Sequence, residues 1–109
     1  MANLTEVTGS NFEIVVQYSE IPVLVLFWAS WSPTSLKLRQ IIGSIVSKYE
    51  GRIKFVEIDT ANDSNRGIID QYQVKDIPCT LFLKDRAENG KIIGPTTLAK
   101  IEAEIQRLL

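Results

Sequence analysis

From Val23 to Trp28 every residue is apolar, in the order Val-Leu-Val-Leu-Phe-Trp. A short run without polar alternation, rich in β-branched and aromatic side chains, predicts a central strand covered on both faces. Beyond it the rhythm changes. Leu38, Ile41, Ile42, Ile45 and Tyr49 recur at helical spacing, while Lys37, Gln40, Ser44 and Lys48 fall largely on the other side. That pattern predicts a long second helix, entered through Ser30, Ser32, Pro33 and Thr34 and stopped at Gly51. Gly43 is a weak point inside it, costing about 1 kcal/mol against alanine.

The remaining segments follow the same two rhythms. Leu4 to Val7 is short and β-compatible. Ser10-Asn11-Phe12-Glu13 has the spacing of a capping box and predicts a first helix to about Tyr18, closed before Ile21-Pro22. Ile53 to Ile58 predicts a strand with Ile53, Phe55 and Ile58 inward. Asn62-Asp63-Ser64 offers a cap for a third helix through about Tyr72. Ile77-Pro78 precedes a strand from Cys79 to Lys84. Asp85 to Gly90 predicts a turn, with Asn89-Gly90 as the hairpin signal, and Lys91 to Ile93 pairs back. Thr96 or Thr97 caps a last helix whose stripe is Leu98, Ile101, Ile105 and Leu108. The order β-α-β-α-β-α-β-β-α predicts an α/β fold, a central mixed sheet with helices on both faces.

Composition narrows the function. The chain has 109 residues, 45% hydrophobic and 23% charged, which fits one domain over 1–109. Twelve basic and thirteen acidic residues are mixed along it for a net charge of −1, so no basic stripe is available for nucleic acid. The longest apolar run, Val23 to Ala29, falls short of the ~20 residues that span a bilayer. Met1 to Glu6 lacks the basic start and apolar core of a signal peptide. The expectation is a cytoplasmic monomer. Histidine is absent, which excludes Ser-His-Asp and Cys-His catalysis and most zinc or haem sites. With a single cysteine, Cys79, no intramolecular disulfide forms and no structural metal site is expected. Asp59, Asp63 and Asp85 read as caps and turn residues, and no cofactor is implied.

Several features in register resemble the thioredoxin family over essentially the whole chain: Pro22-Val23-Leu24-Val25, Phe27-Trp28-Ala29-Ser30-Trp31, Asp59 after the third strand, Tyr72-x-Val74-x-x-Ile77-Pro78, and Gly94 before the last helix. The resemblance implies a thioredoxin-like fold with a cis Pro78 against the active-site turn. In that family Trp-Cys-x-x-Cys stands where this chain has Trp31-Ser32-Pro33-Thr34-Ser35. The first cysteine, favoured as thiolate at a helix N-terminus, attacks a client disulfide and the second resolves the mixed disulfide. Ser32 and Ser35 occupy those catalytic positions, and a hydroxyl without a base neither ionises usefully nor forms a disulfide. Further departures accompany the loss. Leu26 stands where the family commonly keeps a buried aspartate, and Glu57 where a lysine often neighbours it. Pro33-Thr34 replaces the usual Gly-Pro, and the segment from Asp59 to Tyr72 is longer than usual by about one turn.

The resemblance also implies a groove for extended peptide or protein clients, formed by Trp31, Pro33, Thr34, Ile77, Pro78 and Gly94, with the Ile77 backbone pairing as an added strand. Trp28 reads as core and Trp31 as exposed. Asp76 puts a negative charge at the groove's edge. Three readings follow: a redox-silent relative that binds protein partners, as in the thioredoxin-like domains that accompany monothiol glutaredoxins; a thiol-disulfide oxidoreductase in which serines replace both catalytic cysteines; and a monothiol enzyme using Cys79. Against the last, Cys79 reads as a small buried strand residue, with Lys75 offset by Asp76.

Overall fold

The computed structural model describes residues 4–109. Met1 to Asn3, part of the stretch read above for a leader, lie outside them. Five strands form one sheet in the order β1-β3-β2-β4-β5. They are β1 Thr5–Glu6, β2 Val23–Trp28, β3 Lys54–Asp59, β4 Cys79–Lys84 and β5 Ala87–Ile93. β1 and β2 run parallel to β3, and β4 is antiparallel to both β2 and β5. The helices are α1 Pro33–Gly43, α2 Arg66–Gln71 and α3 Leu98–Leu108.

The unbroken apolar run of β2 is explained by what lies above and below it. Leu24 and Leu26 join one core with Phe55, Phe82, Leu38 and Ile42 of α1, and Ile101, Ile105 and Leu108 of α3. Val23, Val25 and Phe27 join a second core with Val56, Ile58, Leu81, Phe12, Val16 and the α2 residues Ile68 and Ile69. Ile58 therefore points into the opposite layer from Ile53 and Phe55, because strand side chains alternate faces and both faces are covered.

Four local expectations are corrected. The capping box at Ser10 does not form: Ser10 Oγ lies 2.8 Å from Thr8 Oγ1, and the first helix is one wide turn, Glu13–Gln17, closed from Tyr18 N–H to the Glu13 carbonyl at 3.0 Å. The second helix ends at Gly43, not Gly51. Glycine's conformational entropy weakens the helix there, and Ser44 Oγ donates to the Ile41 carbonyl at 2.6 Å. The chain then advances through tighter turns to Tyr49 and reverses at Gly51, φ +82°. The hairpin turn is Asp85-Arg86, both left-handed at φ 52° and 67°, so β5 starts at Ala87 rather than Lys91. Asn89-Gly90 instead marks a bulge, where Leu83 pairs with Glu88 and Phe82 with Gly90. Its amide donates to the Lys84 and Ala87 carbonyls.

Other signals read directly. Asn62 accepts from Ser64 N–H at 3.0 Å ahead of α2, and Thr97, not Thr96, accepts from Lys100 N–H at 3.2 Å to open α3. The segment before α2 is held by Asn65, 1% exposed. Its side chain accepts from Gly9 N–H at 2.9 Å and donates to the Asp59 carbonyl at 2.8 Å.

Candidate functional site

β2 ends at Trp28, and Ala29-Ser30-Trp31 turns the chain into α1. The turn closes from Ser32 N–H to the Ala29 carbonyl at 3.1 Å. Ser32 then caps the helix in an extended conformation, its Oγ accepting from Ser35 N–H at 3.2 Å and its carbonyl accepting from Leu36 N–H at 3.1 Å. A serine suits this place because its hydroxyl satisfies a donor the helix leaves free. Pro33 follows at the first helical position, where it has no N–H to waste. Ser32 Oγ also lies 3.3 Å from Thr34 Oγ1.

The two serines differ in surroundings. Ser32 is 6% exposed and its hydroxyl is engaged; Ser35 is fully buried and its Oγ has no hydrogen-bond partner. Ser35 shares the inward face of α1 with Leu38 and Ile42, one helical repeat further on. Trp31 is 71% exposed, whereas Trp28 packs half-buried against the first core.

The other strands bring the remaining predicted residues to this end of the sheet. Cys79, first in β4, pairs with Phe27, next to the end of β2. The preceding Ile77–Pro78 peptide is cis. Gly94, φ +87°, donates its N–H to the Pro78 carbonyl at 2.8 Å. Ile77 packs partly against the second core, Pro78 is buried, and Pro33 and Thr34 are exposed. Ile93, paired with Cys79 on the edge strand, adds exposed apolar surface. Cys79 itself is 1% exposed. Burial pushes its thiol above the ordinary range, against a smaller downward pull from Lys91, with Glu88 and Asp76 adding to the rise. Asp59 is the last residue of β3, its carboxylate accepting from Ala61 N–H at 2.9 Å in the turn that follows, and Asp85 lies in the hairpin turn.

One feature of the site was not legible beforehand. Glu57, buried in β3, lies in register with Leu26 on the face beneath α1. Arg39 of α1 reaches down to it: Nε lies 3.0 and 3.1 Å from the two carboxylate oxygens, and Nη2 lies 2.8 Å from Oε2. The guanidinium carbon sits 4.3 Å from the centre of the Trp28 ring. The Glu57 hydrogen bond holds the Arg39 guanidinium above its ordinary pKa; burial opposes this, and the negative charges of Glu57 and Glu6 add to the rise. A buried glutamate on a covered strand was the only signal; its partner, 18 residues away, left none.

Comparison with known proteins agrees with this architecture. Residues 3–107 match the family model described as Thioredoxin. Thioredoxin 1 of Nostoc sp. is 29% identical over 109 residues, covering all of both chains. Thioredoxin 1 of Synechococcus elongatus is 32% identical over 102 residues, 91% of this chain and 94% of its own. The chloroplastic M-type thioredoxin of Spinacia oleracea is 31% identical over 104 residues, 95% of this chain and 56% of its own length. The match spans the strand, turn and helix that carry Ser32 and Ser35 as well as the cores around them, and the chain belongs to the thioredoxin family.

Proposed function

We propose that this chain is a redox-silent member of the thioredoxin family that binds extended segments of protein partners beside the Ser32–Ser35 turn. The observation that carries the reading is a helix N-terminus bearing two hydroxyls in a chain whose single cysteine is buried. Thiol–disulfide exchange needs an accessible thiolate, and burial raises the Cys79 thiol, which also speaks against a monothiol enzyme. Binding needs no sulfur. Trp31 stands exposed beside Pro33, and Ile77, Pro78 and Gly94 line the same end of the sheet. An exposed tryptophan is a frequent hot spot of protein contacts. The mixed charge and the absence of a basic stripe favour protein over nucleic acid. Among the described residues no helix is long and apolar enough to cross a membrane. We assign the chain to the cytoplasm as a monomer without a cofactor.

The second reading, an oxidoreductase carrying serines at its two catalytic positions, is favoured by one observation: the helix cap and the cis Ile77–Pro78 bond are in place around Ser32 and Ser35. One experiment tests redox silence and a second separates the readings. In an insulin-reduction assay with dithiothreitol the chain is expected to stay at background, and turnover above it refutes redox silence. S32C/S35C is expected to remain a poor reductase, because Leu26 and the Arg39-bound Glu57 leave no free carboxylate beneath α1; full reductase activity favours the second reading. Selection of displayed random peptides against the chain is expected to enrich extended apolar sequences that W31A does not hold. Failure to enrich any counts against partner binding.

A further inference from the structure

We propose that Arg39 and Glu57 are the positioning pair of the partner-binding turn, fixing where α1 begins relative to the sheet and thereby how Trp31 is presented. This rests on the partner-binding reading above. Arg39 is the side chain that joins three parts of the site. It belongs to α1, four residues after Ser35, so the two occupy neighbouring places along one helical face. Its edge grips both oxygens of Glu57 in β3, and its face covers the ring of Trp28, the last residue of β2. Trp28 is in turn tied to the chain beyond β3, since Thr60 donates both its N–H and its hydroxyl to the Trp28 carbonyl at 2.9 and 3.0 Å. The turn Ala29–Ser32 hangs between these anchored points, Trp28 behind it and α1 ahead.

The apolar contacts of α1 do not fix its position along the strands to the same degree. Leu38 and Ile42 meet other aliphatic and aromatic side chains, and such contacts are non-directional. A planar guanidinium bound through two nitrogens to one carboxylate fixes both distance and angle. Lysine in its place keeps the charge but loses the fork and most of the ring contact.

The test compares the parent with R39M/E57M and R39K. Glu57 is buried and Arg39 half-exposed; replacing both members of such a pair by apolar residues of similar volume leaves no uncompensated buried charge, so the double variant is expected to melt cooperatively near the parent temperature. Hydrogen exchange at the Ser32, Ser35 and Leu36 amides, which close the turn and open the helix, is expected to run about tenfold faster in both variants, a size typical for groups coupled through one network. A peptide enriched by selection on the parent is expected to bind both variants about tenfold more weakly. Parent-like exchange at those amides in R39M/E57M overturns the positioning role, as does faster exchange with unchanged peptide affinity. R39K matching the parent in both readouts also overturns it, since charge alone would then suffice. Selection that yields no peptide on the parent refutes partner binding instead, and the exchange comparison still decides whether the pair orders the turn.

Discussion

Ser35 is expected to cost the fold stability, and its replacement by alanine to return it. The residue is fully buried in the first turn of α1 with its hydroxyl unpartnered. An unsatisfied buried polar group costs roughly 1–3 kcal/mol, and alanine is the better helix former by up to about 0.5 kcal/mol. The hydroxyl oxygen is small, so little cavity opposes the gain. The sum points to about 2 kcal/mol, which at roughly 4 °C per kcal/mol is a melting shift of about +8 °C. Ser32 provides the opposite sign on the same turn. Its Oγ satisfies Ser35 N–H, and S32A is expected to lose about 1 kcal/mol. Urea unfolding of parent, S32A and S35A measures both, with equal m-values required for the comparison. If S35A is no more stable than the parent, the buried hydroxyl has a partner and the reasoning fails. If the two variants move in the same direction, the assignment of cap and orphan is wrong.

Three further expectations concern the surroundings of the site. N65A removes a bond to Gly9 N–H and one to the Asp59 carbonyl and is expected to cost about 2 kcal/mol in urea unfolding, with faster exchange at the Gly9 amide; a loss below ~0.5 kcal/mol contradicts the clamp. The Lys48 hydrogen bond, helped by that of Tyr49, lowers the pKa of Glu102, so this carboxylate contributes stability above its ordinary titration range and loses it as pH falls through its lowered value; the stability gap between parent and E102Q is therefore expected to close in acid, and a gap independent of pH refutes the linkage. Native Cys79 is expected to react with a thiol reagent no faster than the protein unfolds, and rapid labelling of the folded chain reopens the monothiol reading.

Much of the fold was legible because its signals are local. The run Val23–Trp28 needs only to be apolar to demand cover on both faces, and Ser32, Asn62 and Thr97 each satisfy a backbone donor two or three residues ahead. Structure departs from the local signal where that signal has a competitor. Ser10 Oγ lies against Thr8 Oγ1 instead, and Asn89-Gly90, a fair turn pair, yields to the left-handed Asp85-Arg86, which closes the hairpin between Lys84 and Ala87. An added Cβ at Gly90 would meet only side-chain atoms, the nearest being the flexible Glu104 carboxylate at 2.7 Å, which can move aside, so this glycine marks the bulge rather than a turn. The motif positions Ser32 and Ser35 are implied by family resemblance. Arg39 could not, since the pairing of a helix charge with a strand charge depends on how α1 lies across the sheet, which no periodicity encodes.

The bulge at Asn89 has a consequence for crowded solutions. β5 lies at the margin of the sheet, with backbone groups on its outer side open to a foreign strand. The slip in register between Phe82 and Leu83 interrupts that margin, so an incoming chain cannot zip along it from end to end. A bulge at this place works against edge-to-edge pairing along β5.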